Sequence, residues 1–123
     1  MSSQLSSIEV FSVQNSPIWM DSSTTSQCAQ LESLYKNDAD LDSGKLAVSL
    51  LTGSIPYERF TINQIAKIIS KYPEQYKDTE RISLVSSFIS SLLVGAYVDI
   101  DYADASGMNA MDIKTKLWIR KIV

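Results

Sequence analysis

A mixed α/β or α+β fold, with short strands under helical cover, is what this chain predicts, and an all-α arrangement is the runner-up. Two stretches, Thr24 to Tyr35 and Thr61 to Tyr72, repeat apolar residues at helical spacing. Several apolar runs have strand length instead: Pro17 to Met20, Ile82 to Val85, and Met108 to Ile113. Polar blocks punctuate the junctions, and such connecting segments are where binding side chains are usually presented.

Residues 1–15 are rich in Ser and Gln, and an alternating piece from Ile8 to Val13 suits a sheet edge or a loose end. Residues 16–123 form the domain proper. Pro17 to Met20 reads as a strand ended by Asp21-Ser22-Ser23, whose side-chain oxygens are good acceptors for the unpaired N–H groups that open a helix. That helix runs to Tyr35, with Cys28, Leu31, Leu34 and Tyr35 on its inner face. Lys36 to Gly44 carries the Asn, Asp and Ser chemistry of an exposed loop. A short helix over Lys45–Thr52 follows, and Gly53 supplies the left-handed residue that closes it.

Ser54 to Phe60 is a loop. Thr61 and Gln64 have the spacing of a capping box, opening a helix with Ile65, Ile68, Ile69 and Tyr72 on one face. Pro73 ends it and starts another short helical piece to Tyr76. Ile82 to Val85 is expected as a buried strand, with Ser86 or Ser87 capping a helix that Gly95 closes. Asp99 to Gly107 is an acidic loop, and Met108–Ile113 and Leu117–Ile119 flank a turn at Lys114-Thr115-Lys116.

Composition narrows the function. The chain has 123 residues and 45% hydrophobic content, enough for one cored domain. A net charge of −3, with 11 scattered Lys and Arg, offers no basic field for a phosphate backbone, so nucleic acid is not an expected partner. One cysteine, Cys28, forms no internal disulfide and suits a reducing compartment, which points to a cytoplasmic location. The first 35 residues lack Lys and Arg, so no targeting leader is expected. Phe88 to Val98 is too short and too interrupted to span a bilayer, so no membrane partner is expected either.

His is absent, which removes the usual nucleophile–base pairs and His/Cys metal sites. Gly44-Lys45 is followed by Leu46 where a phosphate loop needs Ser or Thr. Asp99, Asp101 and Asp104 have the wrong spacing for a calcium loop and read as a solvated turn. Arg59 is the charge of most interest. Tyr57 and Phe60 are expected to anchor its loop by burial and leave five fixed N–H donors beside a helix opening, a geometry suited to a polyol or carbonyl oxygen. The competing reading is an ordinary ion pair with Glu58 or Glu80. Asp21 reads as an N-cap, and Trp19 and Trp118 as core or edge aromatics, although Trp faces also stack on sugars.

Six blocks occur in order: Trp19-Met20-Asp21-Ser22-Ser23-Thr24-Thr25, Leu51-Thr52-Gly53-Ser54, Tyr57-Glu58-Arg59-Phe60-Thr61, Asn63-Gln64-Ile65-Ala66-Lys67-Ile68, Thr79 through Phe88, and Asp101-Tyr102 through Asn109. Together they closely resemble eukaryotic-type xylulokinases of the FGGY carbohydrate kinase family, over about Ser16 to Trp118. The resemblance implies part of a ribonuclease-H-like N-terminal domain. It implies an intact relative that transfers a phosphoryl group from ATP, with Mg, to D-xylulose, giving D-xylulose 5-phosphate. It carries the sugar-contact role of the family's arginine onto Arg59.

The family's phosphate-binding strand, histidine sugar contact, catalytic aspartate and ATP-binding second domain have no counterpart in the chain. The resemblance therefore implies a fragment with no catalytic residue of its own, no ATP or Mg expected on it, and no competence alone. A non-catalytic sugar-binding or partner-binding module is the alternative, and self-association through exposed sheet edges is the expected consequence of cutting a larger domain.

Overall fold

The computed structural model describes residues 11–36 and 43–123, which divide into two compact units. The 37–42 part of the expected Lys36–Gly44 loop and the Ile8–Val10 part of the alternating piece lie outside the described residues, while Ser43 and Gly44 are already helical. Both units are discontinuous in sequence, and the larger takes Pro17–Lys67 and Tyr102–Val123. The smaller takes Ile68–Asp101 and, among the described residues, 11–16.

The larger unit holds α1 (Thr25–Ser33), α2 (Ser43–Thr52), most of α3 (Thr61–Lys71) and the short α6 (Tyr102–Ser106). α1 packs on α2 at Gly44, where a Cβ would fall 2.1 Å from the Glu32 carbonyl oxygen. Only glycine allows that approach. Cys28 and Leu31 from α1, Val48 from α2, Ile62 from α3, Ala105 from α6, and Met108, Ala110 and Met111 form the buried apolar core. The C-terminal stretch closes over this core through backbone bonds: Ile62 N–H donates to Met108 O at 3.2 Å, and Ile113 N–H to Leu51 O at 3.0 Å.

Beneath that closure sits a buried polar node. Asn109, in the left-handed region at φ 58°, donates from Nδ2 to Thr52 Oγ1 at 2.9 Å and to Ser54 O at 3.1 Å. Asn is among the few residues with a Cβ that visit this region readily. Gly53, at φ 83°, ends α2 as the sequence predicts.

The second unit contains α4 (Pro73–Lys77), α5 (Val85–Val94) and the irregular segments around them. Pro73 occupies the first turn of α4 and Gly95, at φ 78°, closes α5, both as expected. Phe11 packs on Phe88 with ring centroids 6.2 Å apart, and the Ser12 and Thr79 hydroxyls meet at 2.6 Å. α5 buries Ser87 and Ser91 and turns Val85, Leu93 and Val94 outward. Both serines have structural work there. Ser87 Oγ accepts the Leu84 N–H at 3.0 Å, and Ser91 Oγ accepts the Val98 N–H at 3.1 Å.

Several expected elements differ. The described residues contain helices and a single isolated antiparallel bridge, Met111 to Trp118, and no extended strand, so the α/β mixture expected from the apolar runs is not what they form. Pro17–Met20 is turn, with Ile18, Trp19 and Met20 exposed, because Asp21 N–H folds back to Ile18 O at 3.0 Å. Ile82–Val85 is not a strand: the helix starts at Val85 with Leu84 as its N-cap, ahead of both Ser86 and Ser87, the expected caps. The acidic loop contains α6.

Only the turn-and-return at 108–119 keeps its predicted outline, with Asp112 N–H donating to Leu117 O and Ile119 N–H to Ala110 O. Without strands among the described residues, the sheet-edge basis for self-association disappears there.

Candidate functional site

Arg59 lies in the loop between α2 and α3, and that loop is fixed from below by three buried polar side chains. Pro56 is buried at its start, and Phe60 N–H turns back to Tyr57 O at 3.0 Å. Asn63 Nδ2 donates to Tyr57 O at 2.8 Å. Gln64 Nε2 donates to Glu58 O at 3.1 Å and to Asp21 O at 3.0 Å, while Thr24 Oγ1 donates to the same Glu58 carbonyl. The Asn63 and Gln64 amide N–H groups and the Thr24 hydroxyl are paired in this way, which offsets the cost of their burial, while Gln64 Oε1 is buried without a partner. The outcome is a loop whose backbone oxygens are all spoken for at residues 57 and 58 and whose next side chain, Arg59, is exposed.

The guanidinium is held by aromatic groups. Its Cζ lies 4.8 Å from the Tyr57 ring centroid and 5.8 Å from that of Trp19. Nη2 donates to Tyr57 Oη at 3.2 Å. Tyr57 in turn meets Phe60 edge-on at 6.0 Å. The anticipated ion pair with Glu58 does not form: Glu58 accepts from Thr25 Oγ1 at 3.3 Å, and in the other unit Glu80 accepts from Tyr97 Oη at 3.1 Å. Among the described residues Arg59 has no carboxylate partner.

Next to this loop, Asp21 is clamped rather than serving as a helix cap. Its Oδ1 accepts from Ser23 Oγ and from Ser23 N–H at 2.9 Å, and its Oδ2 pairs with Lys67 Nζ at 2.9 Å. Hydrogen bonds from Ser23, then from Lys67, hold its carboxyl well below the usual carboxylate range. The N-cap is Thr24, which makes no side-chain cap bond because its hydroxyl is turned to Glu58 O. Likewise Gln64 does not complete a capping box; it sits buried under the loop.

Tyr57 is 41% exposed and Trp19 73% exposed, so neither is the buried anchor or core aromatic that the sequence suggests. Trp118, at 45%, is not core either. Sequence reasoning passed over Asn63 and Thr24 as loop fasteners. The signal available was their place in the quoted blocks, since period alone puts polar residues on the solvent side.

Cys28 is buried, and burial followed by the Glu58 charge pushes its thiol up to about 11. It is core, as expected. Among the described residues no group of three or more metal-ligating side chains is gathered, and no helix is long and apolar enough to cross a membrane. A shallow depression of about 200 Å³ lies elsewhere, lined by Ala29, Glu32, Ser33, Lys36 and Gly44. It belongs to the α1–α2 contact, and none of the polar groups of the Arg59 loop lines it.

No family model matches the chain. Its backbone superposes on the crystal structure of xylulose kinase from Bifidobacterium adolescentis with a TM-score of 0.72, covering 85% of this chain and 25% of that one at 23% identity. The chain therefore shares its fold with that stretch of the solved structure.

Sequence relatives narrow it further. The chain is 57% identical over 108 residues to xylulose kinase of Rattus norvegicus and 55% identical over 108 residues to xylulose kinase 2 of Arabidopsis thaliana, in each case over 88% of its length. It is xylulokinase-like and corresponds to a fragment, spanning 19% and 18% of those two relatives.

Proposed function

We propose that this chain supplies part of the sugar-facing side of a D-xylulose kinase, with Arg59 as the substrate contact. The observation that supports this reading is an exposed guanidinium on a loop fastened at Tyr57 O and Glu58 O, its charge not spent on a carboxylate among the described residues. Such a group directs several fixed donors at the hydroxyl and carbonyl oxygens of a ketose. The chain's own share of the work is to bind and orient. In the intact kinase this orientation would present the terminal hydroxyl for phosphoryl transfer from ATP, yielding D-xylulose 5-phosphate in the cytosol.

The residues present do not fit a magnesium nucleotide. The sequence has no phosphate loop, and the described residues gather no carboxylate cluster. No step is assigned to ATP or Mg on this chain. Titration calorimetry with D-xylulose tests the binding role: heat that disappears in Arg59→Ala is expected, and equal heat in both proteins overturns it. A coupled ADP assay is expected to show no D-xylulose-dependent turnover by the 123-residue chain alone.

A further inference from the structure

We propose that Tyr57 is a positioning residue for Arg59, an inference that rests on the sugar-contact reading of that arginine. An exposed arginine ordinarily samples many rotamers, and ordering it on binding costs affinity. Here one side chain restrains it twice. The Tyr57 ring lies 4.8 Å from Cζ, within cation–π range, and the phenolic oxygen accepts from Nη2 at 3.2 Å. The tyrosine is itself held: its carbonyl takes the Asn63 amide at 2.8 Å and its ring abuts Phe60.

The choice of a phenol has a chemical consequence. A carboxylate would take two guanidinium N–H groups and neutralise the charge. The phenol takes one and leaves the charge intact, so the remaining donors stay available to a polyhydroxy ketone. Tyr57 thus contributes affinity by pre-organisation without touching the sugar.

The test uses the full chain, with Tyr57→Phe and Tyr57→Ala beside Arg59→Ala. Phe keeps the ring and its contact with Phe60, so it separates the hydrogen bond from any loss of folding. Two readouts are taken: D-xylulose affinity by calorimetry, and the Arg59 Nε–Hε resonance by NMR, which ring currents from Tyr57 displace and which a merely structural role would leave in place. Expected are a roughly threefold weakening for Tyr57→Phe and about tenfold for Tyr57→Ala, the latter with Hε moving toward its free position.

An Hε position identical in wild type and Tyr57→Ala overturns the clamp. So does unchanged affinity in Tyr57→Ala when Arg59→Ala abolishes binding. A displaced Hε in a wild-type chain that gives no ketose heat overturns instead the sugar role of Arg59, and with it the purpose assigned to Tyr57.

Discussion

Lys67 Nζ on α3 reaches back to Asp21 Oδ2 at 2.9 Å and to Ser23 Oγ at 2.8 Å, tying the turn before α1 to the helix that follows the Arg59 loop. Because Ser23 and Lys67 both favour the charged carboxylate, folding lowers the Asp21 pKa from its ordinary 3.8. The stabilisation is then present above that value and lost as pH falls through the lower folded one. Thermal unfolding followed by circular dichroism is expected to show a steeper loss below about pH 4 in wild type than in Asp21→Asn. Parallel curves would assign acid sensitivity to other carboxylates.

Gly44→Ala places a methyl group 2.1 Å from the Glu32 carbonyl oxygen, closer than any real contact. Alanine's better helix propensity, worth about 1 kcal/mol, is outweighed by prying α1 from α2. A net loss of about 1–3 kcal/mol is expected in urea unfolding.

At position 109 the two ranks differ by backbone strain. Asn109→Ala removes the bonds to Thr52 Oγ1 and Ser54 O and forces a left-handed alanine, for an expected loss of about 2–3 kcal/mol. Asn109→Gly loses the same bonds without the steric penalty and should fall between alanine and wild type. Equal losses would show that the hydrogen bonds alone carry the effect.

The Cys28 thiol is expected to react slowly with a disulfide reagent at pH 8 in the folded chain and fast after addition of urea. Its folded pKa lies above the ordinary 9.0, so the related stabilisation is complete below 9.0 and lost as pH rises through about 11.

Substituting apolar residues should separate inward from outward faces. Val48 is fully buried, and Val48→Ala is expected to cost about 2 kcal/mol. Leu93 is 83% exposed, and Leu93→Lys should stay within about 0.5 kcal/mol while increasing solubility. A large loss from Leu93→Lys would mean that the outward face of α5 is covered in solution.

Much of the helical framework was legible in the sequence, because Gly53, Pro73 and Gly95 mark boundaries by steric rules that tertiary context rarely overrides. Strands were over-read. A run such as Ile82–Val85 has the same apolar length whether it pairs in a sheet or leads into a helix, and pattern alone does not decide. α5 also defeats the rule that apolar faces point inward, since Ser87 and Ser91 are needed inside to satisfy backbone donors. At the site, the partner expected for Arg59 was misjudged. Charge suggested Glu58 or Glu80, and the nearer group proved to be the phenol two residues away.

The interrupted course of the larger unit bears on how it is made. A ribosome that has delivered residues through Asp101 has released α1, α2 and α3, yet Leu51 O and Ile62 N–H still await Ile113 and Met108. Until residues 102–123 emerge, the nascent chain carries an unfinished interior whose apolar groups and backbone donors lack their closing partners.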